Sequence, residues 1–255
     1  MKTSVIAPLG LSPPVITTFI EGIGETVNDL VILTTDNERV KEGYEIVRIG
    51  LKIKYPKIRV HEVRLPFDDI YTTKQNLQFM SIAASIIKKE REVHKSDKIL
   101  LNVAGGRKNT CITLSLLGQI MGVDGVFHVV TKDVVVVNLL LERLRRDISM
   151  VYRAGNEEEK INIYKKNEKQ FDNLLFPPKS AYEIVKIPTL PYPKDYLAKL
   201  LKSIFSLDLD SLSIEEKEAL YRHGILEKIG NRYYLSKYGE DMVSILIQPR
   251  RGIEI

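Results

Sequence analysis

Strand-like and helix-like segments alternate strictly over the first 137 residues, and this restricts the fold more than any other feature. Short apolar runs, most of them rich in β-branched residues, lie at Thr3 to Ala7, Asp29 to Thr34, Ile58 to Leu65, Lys98 to Ala104 and Gly125 to Val130, each too short for a helix. Helical patterns fill the gaps at Pro13 to Gly22, Glu38 to Tyr55, Thr72 to His94 and Lys108 to Met121. Such alternation dictates an α/β fold: a parallel sheet, helices on both faces, right-handed crossovers. Asp133 to Val137 reads as a further strand, and Leu139 to Arg153 as a helix with Arg143, Arg145, Arg146 and Arg153 at its charged positions. Residues 157–175 read as one more helix, opened by Glu157, Glu158 and Glu159, which suit a helix amino terminus.

Pro177 and Pro178 stop that helix, and Pro188, Pro191 and Pro193 punctuate an extended linker. A boundary near 180–194 follows, dividing a main domain (1–180) from a small one (194–248). The tail expects a helix from about Asp195 to Phe205, then a capping box at Ser213 and Glu216 that opens a second helix. Two strand-like runs flank Gly230-Asn231, and a closing helix ends the pattern. Helix, helix, hairpin and helix is the outline of a winged helix.

Composition narrows the function. Cys111 is the only cysteine, so no intramolecular disulfide forms and a structural zinc site is excluded. No apolar stretch approaches the roughly 20 residues of a membrane span, and the amino terminus lacks a signal-peptide pattern. A cytoplasmic protein without membrane association is expected. The net charge of +5 suggests an anionic partner. Residues 1–193 hold 28 basic and 23 acidic side chains, whereas residues 194–255 hold 10 of each. The excess lies in the amino-terminal part, which argues against DNA binding by the tail.

In a doubly wound sheet, ligands bind beyond the carboxyl ends of the strands, where the strand order reverses. The turn after the first strand reads Ala7-Pro-Leu-Gly-Leu-Ser-Pro-Pro14, with Ser12 expected as the helix N-cap and Pro13 at the first helical position. The fourth strand runs into Asn102-Val-Ala-Gly-Gly-Arg-Lys-Asn-Thr110. Gly105 and Gly106 allow backbone amides to approach an anion, Arg107 and Lys108 add positive charge, and Asn109 or Thr110 is a candidate cap. Neither turn matches the dinucleotide or P-loop fingerprint. In the common strand order these two turns face one cleft, which suits a phosphate-rich ligand. The turn after the second strand, Thr34-Thr-Asp-Asn37, offers polar groups for ribose or base edges, although Asp36 also serves as a plain helix cap.

Together, the Pro-Leu-Gly-Leu-Ser-Pro-Pro turn, the Thr-Thr-Asp-Asn turn, the Gly-Gly-Arg-Lys-Asn turn and the winged-helix-like tail resemble the CRISPR-associated Rossmann-fold (CARF) proteins. The likeness covers nearly the whole chain and is greatest to the stand-alone ring nucleases of type III CRISPR systems. It implies a Rossmann-like CARF domain and a homodimer that binds cyclic tetra-adenylate across its cleft. It also implies cleavage to linear di-adenylate with 2′,3′-cyclic phosphate ends, without metal or cofactor, which switches off effector signalling. By this resemblance Ser12 is the catalytic serine and Lys169 the catalytic lysine, with Lys165 and Lys166 also available. Leu9, Gly10, Leu11, Thr35, Asp36, Asn37, Gly105, Gly106, Arg107, Lys108 and Asn109 would hold the ligand. No Arg lies six residues before any of the four histidines, so the R-x-x-x-x-x-H signature of a fused effector ribonuclease is missing. Two alternatives remain open: a non-cleaving CARF sensor acting as a transcription regulator, and a Rossmann enzyme acting on nucleotides or sugar phosphates.

Overall fold

A computed structural model describes residues 1–189, 203–204 and 208–247. Strands β1 (Thr3–Pro8), β2 (Asp29–Thr34), β3 (Arg59–Arg64), β4 (Lys98–Asn102), β5 (Gly125–Thr131) and β6 (Tyr182–Ile187) form one sheet in the order β3-β2-β1-β4-β5-β6. The first five are parallel and β6 runs antiparallel to β5. Alternate residues of the central strands serve opposite faces. Val5, Ala7, Leu30, Ile32 and Leu100 enter one core, and Ile6, Val31, Leu33, Ile99 and Leu101 the other. Both faces are therefore apolar, which is why these strands read as unbroken hydrophobic runs. Each fully buried side chain of this size contributes about 1.5–3 kcal/mol.

The first core is covered by α1 (Pro14–Gly22), α2 (Glu38–Lys54), α5 (Val134–Arg153), α6 (Glu157–Lys166) and α7 (Glu168–Leu175). The second is covered by α3 (Thr73–Glu92), opened by a Thr72/Gln75 capping box, and α4 (Lys108–Ile120). In the tail, a helix at Ile214–Arg222 begins at the expected Ser213/Glu216 capping box. The antiparallel hairpin β7 (Leu226–Ile229) and β8 (Arg232–Leu235) and a helix at Lys237–Ile247 follow. Ile204, Leu209, Leu212, Leu226 and Val243 form a small core there, and Ile245 joins the core under α3 and α4. Apart from residues 203–204, the helix expected at Asp195 to Phe205 falls largely outside the described residues, as do Pro191 and Pro193.

Three sequence expectations are corrected. Asp133 to Val137 is not a strand: Asp133 caps α5 by accepting from the Val136 amide at 3.1 Å. The four valines are β-branched, but Leu141, Leu144, Ile148 and Val151 further along are buried at helical spacing, and the cap extends that helix backwards. Residues 157–175 form two helices, because Asn167 leaves helical geometry between α6 and α7. The supposed linker near 180–194 contains β6, which pairs with β5 along its whole length.

An ion network fastens α6 to α2. Arg48 donates to both Glu45 and Glu157 at 2.6 Å, Lys160 reaches Glu45 at 2.8 Å, and Lys52 reaches Glu157 at 2.7 Å. The break at Asn167 is bridged by the fully buried Tyr164, whose hydroxyl donates to Asp172 at 2.7 Å and whose ring stacks on Phe171. Hydrogen bonds from Arg48, opposed by partial burial and helped by Lys52, hold the Glu157 carboxyl down at about 2. Because this depression exists only in the folded state, the stability it supplies is present above the ordinary carboxylate range and is lost as pH falls towards 2. Urea midpoints measured from pH 4.5 to pH 2 should therefore fall less steeply in Arg48→Met than in the parent, because the variant lacks this acid-sensitive contribution. Equal slopes would show that the network is energetically idle.

Candidate functional site

Strands β1 and β4 are neighbours, yet α1 packs on one face of the sheet and α4 on the other. The expected switch point therefore lies between the turns that follow these two strands. The turns are in direct backbone contact. A Cβ added to Gly105 would lie 2.1 Å from the Pro8 carbonyl oxygen, and one added to Gly10 would lie 2.8 Å from the Gly106 amide nitrogen. Gly106 also has φ +84°, a conformation that side-chain-bearing residues rarely adopt. Buried Asn102 fastens the arrangement: its side chain donates to the Val15 carbonyl at 2.9 Å and accepts from the Ala104 amide at 3.1 Å.

Within this contact, the amides of Gly10, Leu11, Ser12, Gly105, Gly106 and Arg107 have no acceptor among the described residues. They lie beside the amino termini of two helices, whose partial positive charge favours an anion. The Ser12 hydroxyl likewise has no partner among the described residues. Its expected role as N-cap is corrected: Pro13 occupies that position, no side chain caps α1, and the Val15 and Ile16 amides use the carbonyls of Ser12 and Pro13. With prolines at 13 and 14, fewer amides at this end need a partner, so the serine hydroxyl stays available. Leu9 is buried, and its amide donates to the Leu33 carbonyl, so it shapes the turn from beneath. Leu11 is 61% exposed beside the free hydroxyl.

On the β4 side, Arg107 is already engaged. Its guanidinium pairs with Asp69 and lies 5.5 Å from the centre of the Tyr71 ring. This pairing holds the Asp69 carboxyl below the usual carboxylate range. Asp69 and Tyr71 escape sequence reasoning because nothing local links them to Arg107, which lies 38 positions beyond Asp69. Lys108 is exposed and has no carboxylate partner among the described residues, so it is the free cation of this turn. Asn109 donates to the Ile70 carbonyl at 3.3 Å. Neither Asn109 nor Thr110 caps α4; Arg107 stands at the N-cap position without a side-chain bond, and the Thr110 hydroxyl donates to the Arg107 carbonyl.

The third turn is less available. Thr35 is half-buried, and exposed Asp36 pairs with Lys41, while Asn37 rather than Asp36 caps α2 by accepting from the Arg39 amide at 3.0 Å. Lys169 is exposed in the first turn of α7, with no hydrogen bond or ion pair to the Ser12 turn. The other end of α7 is tied to α1, where the Thr17 hydroxyl donates to the Leu175 carbonyl. Lys165 and Lys166 are exposed at the end of α6.

Fold and site together define a doubly wound α/β protein with two glycine-rich turns in backbone contact at its switch point. The chain belongs to the family of CRISPR-associated protein NE0113, whose family model matches residues 12–221. It is 27% identical over 136 residues to the CRISPR system ring nuclease SSO2081 of Saccharolobus solfataricus, a match spanning 51% of this chain and 72% of the relative. Among solved structures, it is similar to Enterococcus italicus Csm6 bound to cyclic hexa-2′-fluoro-hexa-dAMP, at TM-score 0.45 and 15% identity, over 96% of this chain and 53% of that one. It is also similar to Can2 from Sulfobacillus thermosulfidooxidans in complex with cyclic tetra-adenylate, at TM-score 0.38 and 12% identity, over 96% of this chain and 63% of that one. The chain thus spans about half to two thirds of these larger proteins. Among the described residues, no helix is long and apolar enough to cross a membrane.

The backbone contact yields a direct test. Gly105→Ala drives a Cβ into the Pro8 carbonyl, whereas Gly122→Ala, at φ +61° with open space around it, meets only the left-handed penalty of about 1–2 kcal/mol. Thermal unfolding should show the larger loss for Gly105→Ala, and that variant should also lose anion binding. Equal losses would mean that the two turns are not pressed together.

Proposed function

We propose that this chain is a metal-independent ring nuclease that opens cyclic tetra-adenylate into linear di-adenylates with 2′,3′-cyclic phosphate ends. The observation that carries this reading is the pair of turns with acceptor-free amides and a Ser12 hydroxyl without a partner among the described residues, in a chain similar to the ring nuclease SSO2081. A cyclic oligoadenylate presents several phosphates at ring spacing, and the two turns offer amides and the Lys108 cation to bind them. A second copy of the chain would repeat the same turns about a two-fold axis and match a ring of four similar phosphates.

In the proposed reaction the 2′-hydroxyl of one ribose attacks its own 3′-phosphorus. The bond to the 5′-oxygen breaks, the 2′ proton is lost, the leaving oxygen gains a proton, and a 2′,3′-cyclic phosphate remains. Two such cuts open the ring into two di-adenylates. The protein's part is to hold the attack in line and to offset charge on the phosphorane and the leaving oxygen. Ser12 would position the scissile phosphate and Lys169 would stabilise the developing charge. None of the four histidines lies in the turns, so no strong general base is at hand and turnover is slow. Slow cutting suits removal of a signalling molecule and termination of effector activity. The tail has little to offer DNA: besides its balanced charge, Lys228 pairs with Glu218 and Arg222 bonds the Glu218 carbonyl.

Ser12→Ala and Lys169→Ala should each slow cutting by about 10² to 10³ while leaving ligand affinity largely intact, because the lost interactions strengthen in the transition state. Full activity in Lys169→Ala together with loss in Lys165→Ala or Lys166→Ala would move the catalytic lysine. Ligand binding with no cutting by the unaltered protein would instead favour the sensor reading. Lys108→Ala should weaken binding and its salt dependence together, since it removes a phosphate contact. Light scattering should give a dimer; a monomer both with and without ligand contradicts the two-fold site.

A further inference from the structure

Beyond the switch point, α2, α5 and α6 enclose an open groove of about 720 Å³ that none of the candidate site residues lines. Three features mark it as more than a gap between helices. Arg143 and Arg146 stand exposed on the α5 wall without carboxylate partners among the described residues. Glu42 on the α2 wall is only 6% exposed as a residue, its carboxylate oxygens open onto the groove, and they have neither a hydrogen-bond nor an ion-pair partner among the described residues. The Nε of Arg145 is buried and also unpartnered, although its guanidinium reaches Glu142 at 2.7 Å. A carboxylate that opens onto the groove beside unpaired arginines can accept hydrogen bonds from a ligand whose anionic group those arginines bind.

We propose that this groove is a second binding site, for a 5′-nucleotide with a free ribose diol. Arginine is suited to phosphate oxygens because its planar fork donates two parallel hydrogen bonds. A carboxylate is suited to a ribose diol, which donates two hydroxyl protons to it. Met150 and Ile163 supply apolar surface for the face of a base, and the volume is in the range of small-ligand sites. A bare phosphate would leave Glu42 without a donor, whereas a nucleotide offers both an anionic group and a diol. The proposal does not depend on ring cleavage.

The test is calorimetric titration of the full-length protein with ATP, its 2′-deoxy analogue, inorganic phosphate and a short single-stranded oligoribonucleotide. ATP should bind saturably, and the 2′-deoxy analogue and phosphate at least tenfold more weakly. The Arg143→Ala/Arg146→Ala double variant and Glu42→Gln should each lose at least tenfold in ATP affinity, whereas Lys108→Ala, at the switch point, should bind ATP as the parent does. Circular dichroism melts confirm folding, and the double variant alters only exposed side chains, so it reads out binding even if Glu42→Gln is destabilised. Absence of saturable ATP binding, loss of it in Lys108→Ala but not in the arginine variant, or tighter binding of the oligoribonucleotide than of ATP would each overturn the proposal.

Discussion

The contact between the backbones of Pro8–Gly10 and Gly105–Gly106 is the constraint on which the site depends. Adjacent parallel strands hold their axes roughly 5 Å apart, and side chains on the turns that leave them would normally force those turns to splay. Here Gly10, Gly105 and Gly106 lack Cβ atoms where the turns meet, so the turns close on one another. Substituting any of the three glycines would place an added carbon within 2.1–2.8 Å of a neighbouring atom. The fold brings the turns together through strand order, but only glycine lets them touch.

Chemistry follows from what the contact leaves unsatisfied. Water satisfies exposed amides in the free protein, so binding an anion there exchanges water for phosphate oxygens instead of breaking protein hydrogen bonds. The prolines at 13 and 14 have a parallel effect on α1: they relieve Ser12 of capping and leave its hydroxyl without a partner among the described residues. The two basic residues of the β4 turn then have different parts. Asp69 holds Arg107 in an ion pair, whereas Lys108 is exposed with no carboxylate partner among the described residues. On the opposite face of the sheet from α4, the Arg48 network and the Tyr164–Asp172 hydrogen bond hold α6 and α7 as one unit, and that unit carries Lys169.

Much of this was legible in the residues. The five parallel strands and the pairing of the first and fourth turns follow from alternation and from the rule for switch points, because burial on both faces leaves an unmistakable apolar signature. The four valines at 134–137 misled because β-branching is a weak local preference that the Asp133 cap and the buried stripe of α5 override. Strand β6 was hidden among prolines: only Tyr182 along it is buried, so its sequence carries little hydrophobic signal. Its place is set by hydrogen bonds to β5, which no local pattern announces. The Asp69–Arg107 pair and the acceptor-free amides are equally invisible from sequence, since both arise where distant segments meet.

The central claim is that the ring is cut by its own 2′-hydroxyl in the switch-point cleft. The most direct measurement is mass spectrometry of the products formed when purified protein is incubated with cyclic tetra-adenylate in excess EDTA. The account predicts undiminished conversion to linear di-adenylate bearing a 2′,3′-cyclic phosphate. Products ending in a 3′-hydroxyl, or activity abolished by EDTA and restored by a divalent cation, would mean that activated water attacks instead and would contradict it.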